Sequence, residues 1–171
     1  MPERQFHLNP TGCRVEVLAR SSLHDVRMAA EGVSGSLLAV DSEAIGGVAG
    51  EIRVPMAGFS TGDRLQDWKL GAVLDASTHP LATFSFKGLV PGESLSEGRI
   101  QVNGVGSLAY RGQSAEVSFE GAVGFDETEA WADIECILDV RSFGVIPPSL
   151  LGFSVSPEVR VVVRIRAAIA G

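Results

Sequence analysis

Apolar and polar residues alternate with a period of two along most of the chain. In Val15-Glu16-Val17-Leu18-Ala19 the odd positions are apolar. From Val48 to Met56, Val48, Ile52, Val54 and Met56 share one face, opposite Glu51 and Arg53. Ala82, Phe84 and Phe86 lie opposite Thr83, Ser85 and Lys87. Ala115, Val117 and Phe119 alternate with Ser114, Glu116, Ser118 and Glu120, and Ile134, Cys136, Leu138 and Val140 with Asp133, Glu135 and Asp139. At the C-terminal end Val159, Val161, Val163, Ile165, Ala167 and Ile169 face one side, and Arg160, Arg164 and Arg166 the other. Successive side chains of a strand point to opposite faces, so each segment predicts a strand with one dry and one wet face.

The strands are separated by turn-forming clusters: Asn9-Pro10-Thr11-Gly12, Gly46-Gly47, Pro91-Gly92-Glu93 and Ile146-Pro147-Pro148-Ser149. This spacing predicts an all-β antiparallel sandwich or barrel, not βαβ units. No internal repeat is present, and residues 1–171 read as a single domain. One segment breaks the alternation. Thr61 to Leu70 places Leu65 and Trp68 three apart, so a short helix is expected there, capped by Thr61 or Asp63, packed through Leu65 and Trp68 and ending near Gly71. A second helical turn is expected around Pro148 to Leu151.

Small residues on the apolar faces, namely Ala82, Gly104, Gly106, Ala115 and Ala167, leave room inside a closed barrel. The same mixture of small and large residues also fills a tapering barrel with its own side chains, and alternation does not separate the two.

Composition narrows the partners. Apolar residues make up 45% and charged residues 20%, which excludes a disordered chain. The formal net charge of −7 argues against nucleic acid and against an anionic membrane surface. No apolar run is long enough to span a bilayer, and Met1 to His7 shows no signal-peptide pattern, so a cytoplasmic protein is expected. Cys13 and Cys136 have neither CxxC spacing nor, in a reducing compartment, reason to pair; Cys136 falls on an apolar strand face.

Catalytic chemistry finds no foothold. Gly104-Val105-Gly106-Ser107-Leu108-Ala109 matches G-x-G-x-x-A, but a strand follows where a dinucleotide site needs a helix. Ser21-Ser22-Leu23-His24-Asp25 gathers triad residue types in adjacent positions, which point apart on a strand. His7, His24 and His79 show no metal-ligand spacing. Arg64, Asp67 and Lys69 read as a solvated helix face, or as groups holding the polar end of a ligand at a barrel mouth; Trp68 and Trp131 read as packing or rim residues.

Three stretches together resemble the YceI-like, or polyisoprenoid-binding-like, family. Ser60 to Arg64 with the helix, then Val73-Leu74-Asp75 and His79-Pro80-Leu81-Ala82-Thr83-Phe84-Ser85-Phe86, are similar to the family's charged helix followed by an aspartate and a YP-x-x-x-F strand. Gly106-Ser107-Leu108-Ala109-Tyr110-Arg111-Gly112 is similar to its G-x-L-T-x-R-G hairpin, and Val140-Arg141-Ser142-Phe143-Gly144-Val145 to x-R-x-D-F-G-I, before Pro157-Glu158-Val159 on the last strand. Phe6 to Gly35 parallels the family's opening hairpin. The chain departs from the pattern at Asp67, where a histidine is usual nearby. Trp68 and Lys69 replace leucine and arginine, His79 replaces tyrosine, and Ser142 replaces aspartate.

The resemblance implies an extended, lipocalin-like antiparallel barrel of about eight strands with one or two short helices. It implies a non-catalytic protein that carries or sequesters a polyisoprenoid or an isoprenoid quinone in an apolar tunnel, without a cofactor, and a homodimer. The residues expected to line that tunnel are Phe84, Phe86, Val102, Val117, Phe119, Ile134, Leu138, Phe143 and Val161, with Trp68 and Arg64 at its mouth. The alternative is an interaction or stress-response module whose barrel is filled by its own side chains and takes no lipid. An enzyme acting on small hydrophobic molecules would need His24 or His79 beside a carboxylate inside the tunnel.

Overall fold

A computed structural model of the chain describes residues 3–22, 25–40, 48–95, 98–146, 149–150 and 153–169. The first strands are short: β1 (Glu3–Leu8), β2 (Arg14–Ser21), β3 (Val26–Ala30), β4 (Ser34–Val40), β5 (Val48–Pro55) and β6 (Phe59–Ser60). Helix α1 (Arg64–Leu74) follows, then the long strands β7 (Leu81–Ser94), β8 (Ile100–Tyr110), β9 (Gln113–Phe125) and β10 (Glu129–Asp139). A 3₁₀ turn (Val140–Phe143) leads to the two-residue β11 (Ser149–Leu150) and the 17-residue β12 (Phe153–Ile169).

Every pairing among the described residues is antiparallel, and the six short strands are three long staves, each broken once. β1 and β2 lie end to end along β12, which pairs Phe6 with Ile169 and Val15 with Val163. β4 and β3 lie end to end along β1 and β2, and β5 and β6 along β4 and β3. The neighbours then run β5, β7, β8, β9, β10, β12, and β12 returns to β1. Eight staves close into a barrel, the arrangement that removes exposed sheet edges.

The turns follow local chemistry. β8 and β9 are joined by Arg111 and Gly112, both at positive φ (55° and 74°), as a two-residue type I′ hairpin requires. Asp126 accepts hydrogen bonds from the backbone of Thr128 and Glu129 and so turns β9 into β10. Pro91-Gly92-Glu93, expected as a turn, instead lies within β7. β5 covers β7 only as far as Ser85, so Pro91 sits where one flank of the strand is unpaired and a missing N–H costs no ladder bond.

The helix differs from expectation in length and in its buried face. Asp63 caps it, accepting from the backbone N–H groups of Leu65 and Gln66. It passes Gly71 and ends at Asp75, which adopts the left-handed conformation (φ 53°). The longer helix turns Leu74 into the core, with Leu70 and Val73 packed beside it; Leu65 and Trp68 are left 61% and 73% exposed. The helical turn expected at Pro148 to Leu151 is not formed. Ser149 and Leu150 pair with Ser154 and Phe153 as a hairpin, and the helical pieces besides α1 among the described residues are 3₁₀ turns at Met56–Gly58 and at Val140–Phe143, where Asp139 caps the turn. Pro148 and Leu151, like His24, Gly46, Gly47 and Pro147, lie outside the described residues.

Two apolar clusters fill the barrel. The larger, around Phe6, Val33, Val102 and Ile165, runs through its length. The smaller, of Met56, Leu74, Ala76, Ala82, Tyr110, Phe143 and Val145, seals the end covered by α1 and the 3₁₀ turn.

Candidate functional site

Where the two clusters meet, the packing leaves a cavity of about 170 Å³. Val17, Ile52, Phe84 and Val161 bound it on the barrel side, and Leu74, Phe143 and Val145 close it from the covered end. A dry, apolar cavity of about 150 Å³ accepts a molecule the size of benzene, so this space suits roughly six carbons of an apolar chain.

The inward positions of the long strands supply most of its wall. Of the residues expected to line a tunnel, Phe84, Val117, Phe119, Ile134, Leu138, Phe143 and Val161 border this cavity. Phe86 and Val102 lie in the adjoining core; the Phe86 ring meets those of Phe84 and Phe119 edge to face, with centroids 5.1 and 5.7 Å apart. Arg64 and Trp68 are on the outer side of α1 and do not border the cavity. Met28, Leu74, Tyr110 and Val145 do border it and were not singled out from sequence. Leu74 and Val145 lie where the helix and a loop land on the barrel, which strand periodicity does not register.

Gly104 and Gly106, read as residues that leave room, do so for aromatic rings rather than for a ligand. A Cβ at Gly104 would strike the Phe119 ring, and one at Gly106 the Phe84 ring. The same glycines belong to the apparent dinucleotide motif, which lies wholly within β8.

A second space opens through the wall itself. The β9–β10 ladder runs from Phe125↔Ala130 to Phe119↔Cys136 and stops. Beyond it β9 still pairs with β8, and β10 with β12, but the two no longer pair with each other. The 3₁₀ turn after Asp139 packs against β9 and closes the far side, leaving a window. A groove of about 550 Å³ occupies this window and shares Val117, Phe119, Glu135, Cys136, Leu138 and Phe143 with the inner cavity. Glu116, Glu120, Glu135 and Asp139 stand along the groove. Lys87 lies 3.7 Å from Glu116, Arg160 donates to Glu135 (3.1 Å), and Arg141 holds Asp139 below the usual carboxylate range through side-chain hydrogen bonds.

Polar groups at the covered end are structural. The Tyr110 hydroxyl donates to the Leu74 carbonyl, tying the end of β8 to the end of α1, and burial raises its pKa. Asp67, read as part of a solvated face, turns back to accept from the Thr61 backbone (2.6 Å), the Thr61 hydroxyl (2.7 Å) and Ser60 (2.8 Å), which lowers its pKa. His79 lies 3.8 Å from Asp75, but neither borders the cavity. Burial, with a smaller contribution from Glu135, pushes the Cys136 thiol up to about 11, so it is an apolar wall group rather than a nucleophile at neutral pH. Cys13 is buried and also free. Among the described residues no three His, Cys, Asp or Glu side chains are grouped to hold a metal ion, and no helix is long and apolar enough to cross a membrane.

The architecture matches solved structures of low sequence identity. BcnA of Burkholderia cenocepacia superimposes with a TM-score of 0.78 at 16% identity, over 93% of this chain and 98% of that one. A polyisoprenoid binding domain from Saccharophagus degradans, implicated in plant cell wall breakdown, gives 0.73 at 13%, over 96% and 98%. The YCEI protein of Campylobacter jejuni gives 0.66 at 15%, over 85% and 86%. No curated protein matches the chain in sequence. A model of the YceI-like domain matches residues 6–167, from the first strand of the barrel to the last. Barrel closure, the helix that covers one end and this nearly complete sequence match agree: the chain belongs to the YceI-like family.

Proposed function

We propose that the protein binds and carries a linear hydrophobic molecule of the polyisoprenoid or isoprenoid-quinone class and does not transform it. The observation that carries this reading is the apolar cavity inside a closed barrel, continuous in its lining with a larger groove. Family membership and the likeness to a polyisoprenoid binding domain support the same ligand class. Burying an apolar chain is worth roughly 25 cal/mol per Å², so useful affinity needs no charged anchor. The titratable groups near the cavity act in packing and ion pairs, which favours a binding protein over an enzyme.

Calorimetric titration with farnesol, and separately with a short-tailed ubiquinone, tests the proposal. Saturable one-to-one binding is expected, with a negative heat-capacity change. Absence of saturable binding to either probe would overturn it. A second reading, an interaction module with no lipid ligand, draws on the Phe84–Phe86–Phe119 cluster that fills the middle of the barrel. That reading predicts the second outcome.

A further inference from the structure

We infer that the hydrophobic ligand enters sideways, through the window between β9 and β10, and that in the bound state only its tail lies in the inner cavity while the rest of the chain lies along the groove. This rests on the binding function proposed above.

The inner cavity is small for such a ligand. The cavity of about 170 Å³ takes roughly one isoprene unit, judged against benzene in a cavity of about 150 Å³. Phe6, Val102 and Ile165, each fully buried, fill the barrel beyond it. A linear molecule of three or more units exceeds this cavity and needs adjoining space. The groove of about 550 Å³ adjoins the cavity and shares walls with it.

The ladder is open at the window. Backbone pairing holds the β7–β8, β8–β9 and β10–β12 seams over most of their length, for example β10 on β12 from Glu129↔Ala168 to Asp139↔Glu158. The β9–β10 seam holds only from Phe119 to Phe125. An apolar chain passing there breaks no rung.

The lip of the window is apolar. Outward positions of β10 carry Asp133, Glu135 and Asp139, yet the outward residue at the window is Ile137, 68% exposed. Ile137 and inward-facing Leu138 make a continuous apolar path through a wall whose outer face is otherwise charged here. Phe119 and Phe143 stand on opposite sides of that path.

The test closes the window reversibly. Had the ladder continued past Cys136, Ile137 would pair with Ser118. In the full chain, Ser118→Cys with Ile137→Cys, in a Cys136→Ala background, joins β9 to β10 outside the cavity. Exchange of bound farnesol for deuterated farnesol is followed by native mass spectrometry. Oxidation is expected to slow exchange at least tenfold, and reduction to restore it. An oxidised protein whose disulfide is confirmed by mass but whose exchange rate is unchanged would overturn the lateral route and leave the binding function standing. Failure of the unmodified protein to take up farnesol would overturn both. Amide hydrogen exchange reads the same question without any substitution. Amides of residues 114–118 should exchange faster than those of 120–124 and slow when farnesol is added. Unchanged exchange at 114–118 in the farnesol-bound protein contradicts the inference.

Discussion

The ring of Phe84 lies across the backbone of Gly106 on the neighbouring strand, in the space a side chain at position 106 would need. In the register of these strands Phe84 lies opposite Leu108 and Phe86 opposite Gly106, so the Phe84 ring leans diagonally onto the glycine. Gly104 receives the ring of Phe119, its direct cross-strand partner on β9. The barrel thus holds three phenylalanines in mutual edge-to-face contact without widening, and the cavity begins where that cluster ends.

Gly106→Ala is therefore expected to destabilise the protein by about 1–3 kcal/mol, the usual range for overpacking. The added methyl would sit 2.7 Å from the Ser85 carbonyl oxygen, which is backbone and does not swing aside. Gly88→Ala, where nothing lies within 4 Å, should change stability by less than about 0.5 kcal/mol. Urea unfolding of the two variants makes the comparison. Equal midpoints would mean that the rings do not depend on the glycine.

Tyr110→Phe removes the one side-chain hydrogen bond from the β8 end to the Leu74 carbonyl. The expected cost is about 1–2 kcal/mol, because a buried acceptor loses its partner. The loss should be local, so amides at the end of α1 should exchange faster while those of β10 and β12 do not. Uniform acceleration in every strand would count against this local role.

The attachment of α1 to β6 should depend on pH. Hydrogen bonds from Thr61 and Ser60 hold the Asp67 carboxyl below its ordinary value. A carboxyl depressed by folding contributes stability that is fully present above its unfolded pKa, about 3.9, and is lost as pH falls through the folded value. Stability should decline below about pH 4. Asp67→Asn should flatten part of this decline, and only part, since Asp139 is depressed in the same direction by Arg141. Thermal melts from pH 2 to pH 6 measure it. An unchanged slope in Asp67→Asn would show that the contact does not persist in solution.

Ala82 borders the cavity from β7, with its methyl in the cluster under α1. Ala82→Leu is expected to fill the space, raise stability by about 0.5–2 kcal/mol as cavity filling commonly does, and weaken farnesol binding at least tenfold. Retained affinity in a stabilised variant would place the ligand elsewhere.

The strands were legible because alternation records which face of a strand is dry. Val117, Ile134 and Val161 were assigned inward on that ground alone, and they border the cavity. What alternation does not record is the neighbour. The alternation of Ala115, Val117 and Phe119, and of Ile134, Cys136 and Leu138, runs unbroken past the last pair, Phe119↔Cys136, although the strands part there. Gly104 and Gly106 read as empty space because their meaning depends on the rings of adjacent strands, which only the register reveals. Leu65 and Trp68 share helical spacing with buried faces elsewhere. Burial fell instead to Leu70, Val73 and Leu74, because Asp63 and Asp75 set where the helix starts and stops.

The most direct test of the hydrophobic carrier is native mass spectrometry of the protein purified from its own cells without detergent, followed by solvent extraction. The account predicts one apolar molecule per chain, released by organic solvent and identified by mass as an isoprenoid or isoprenoid quinone. A folded protein with only the polypeptide mass, an empty extract and no saturable uptake of added farnesol would contradict it.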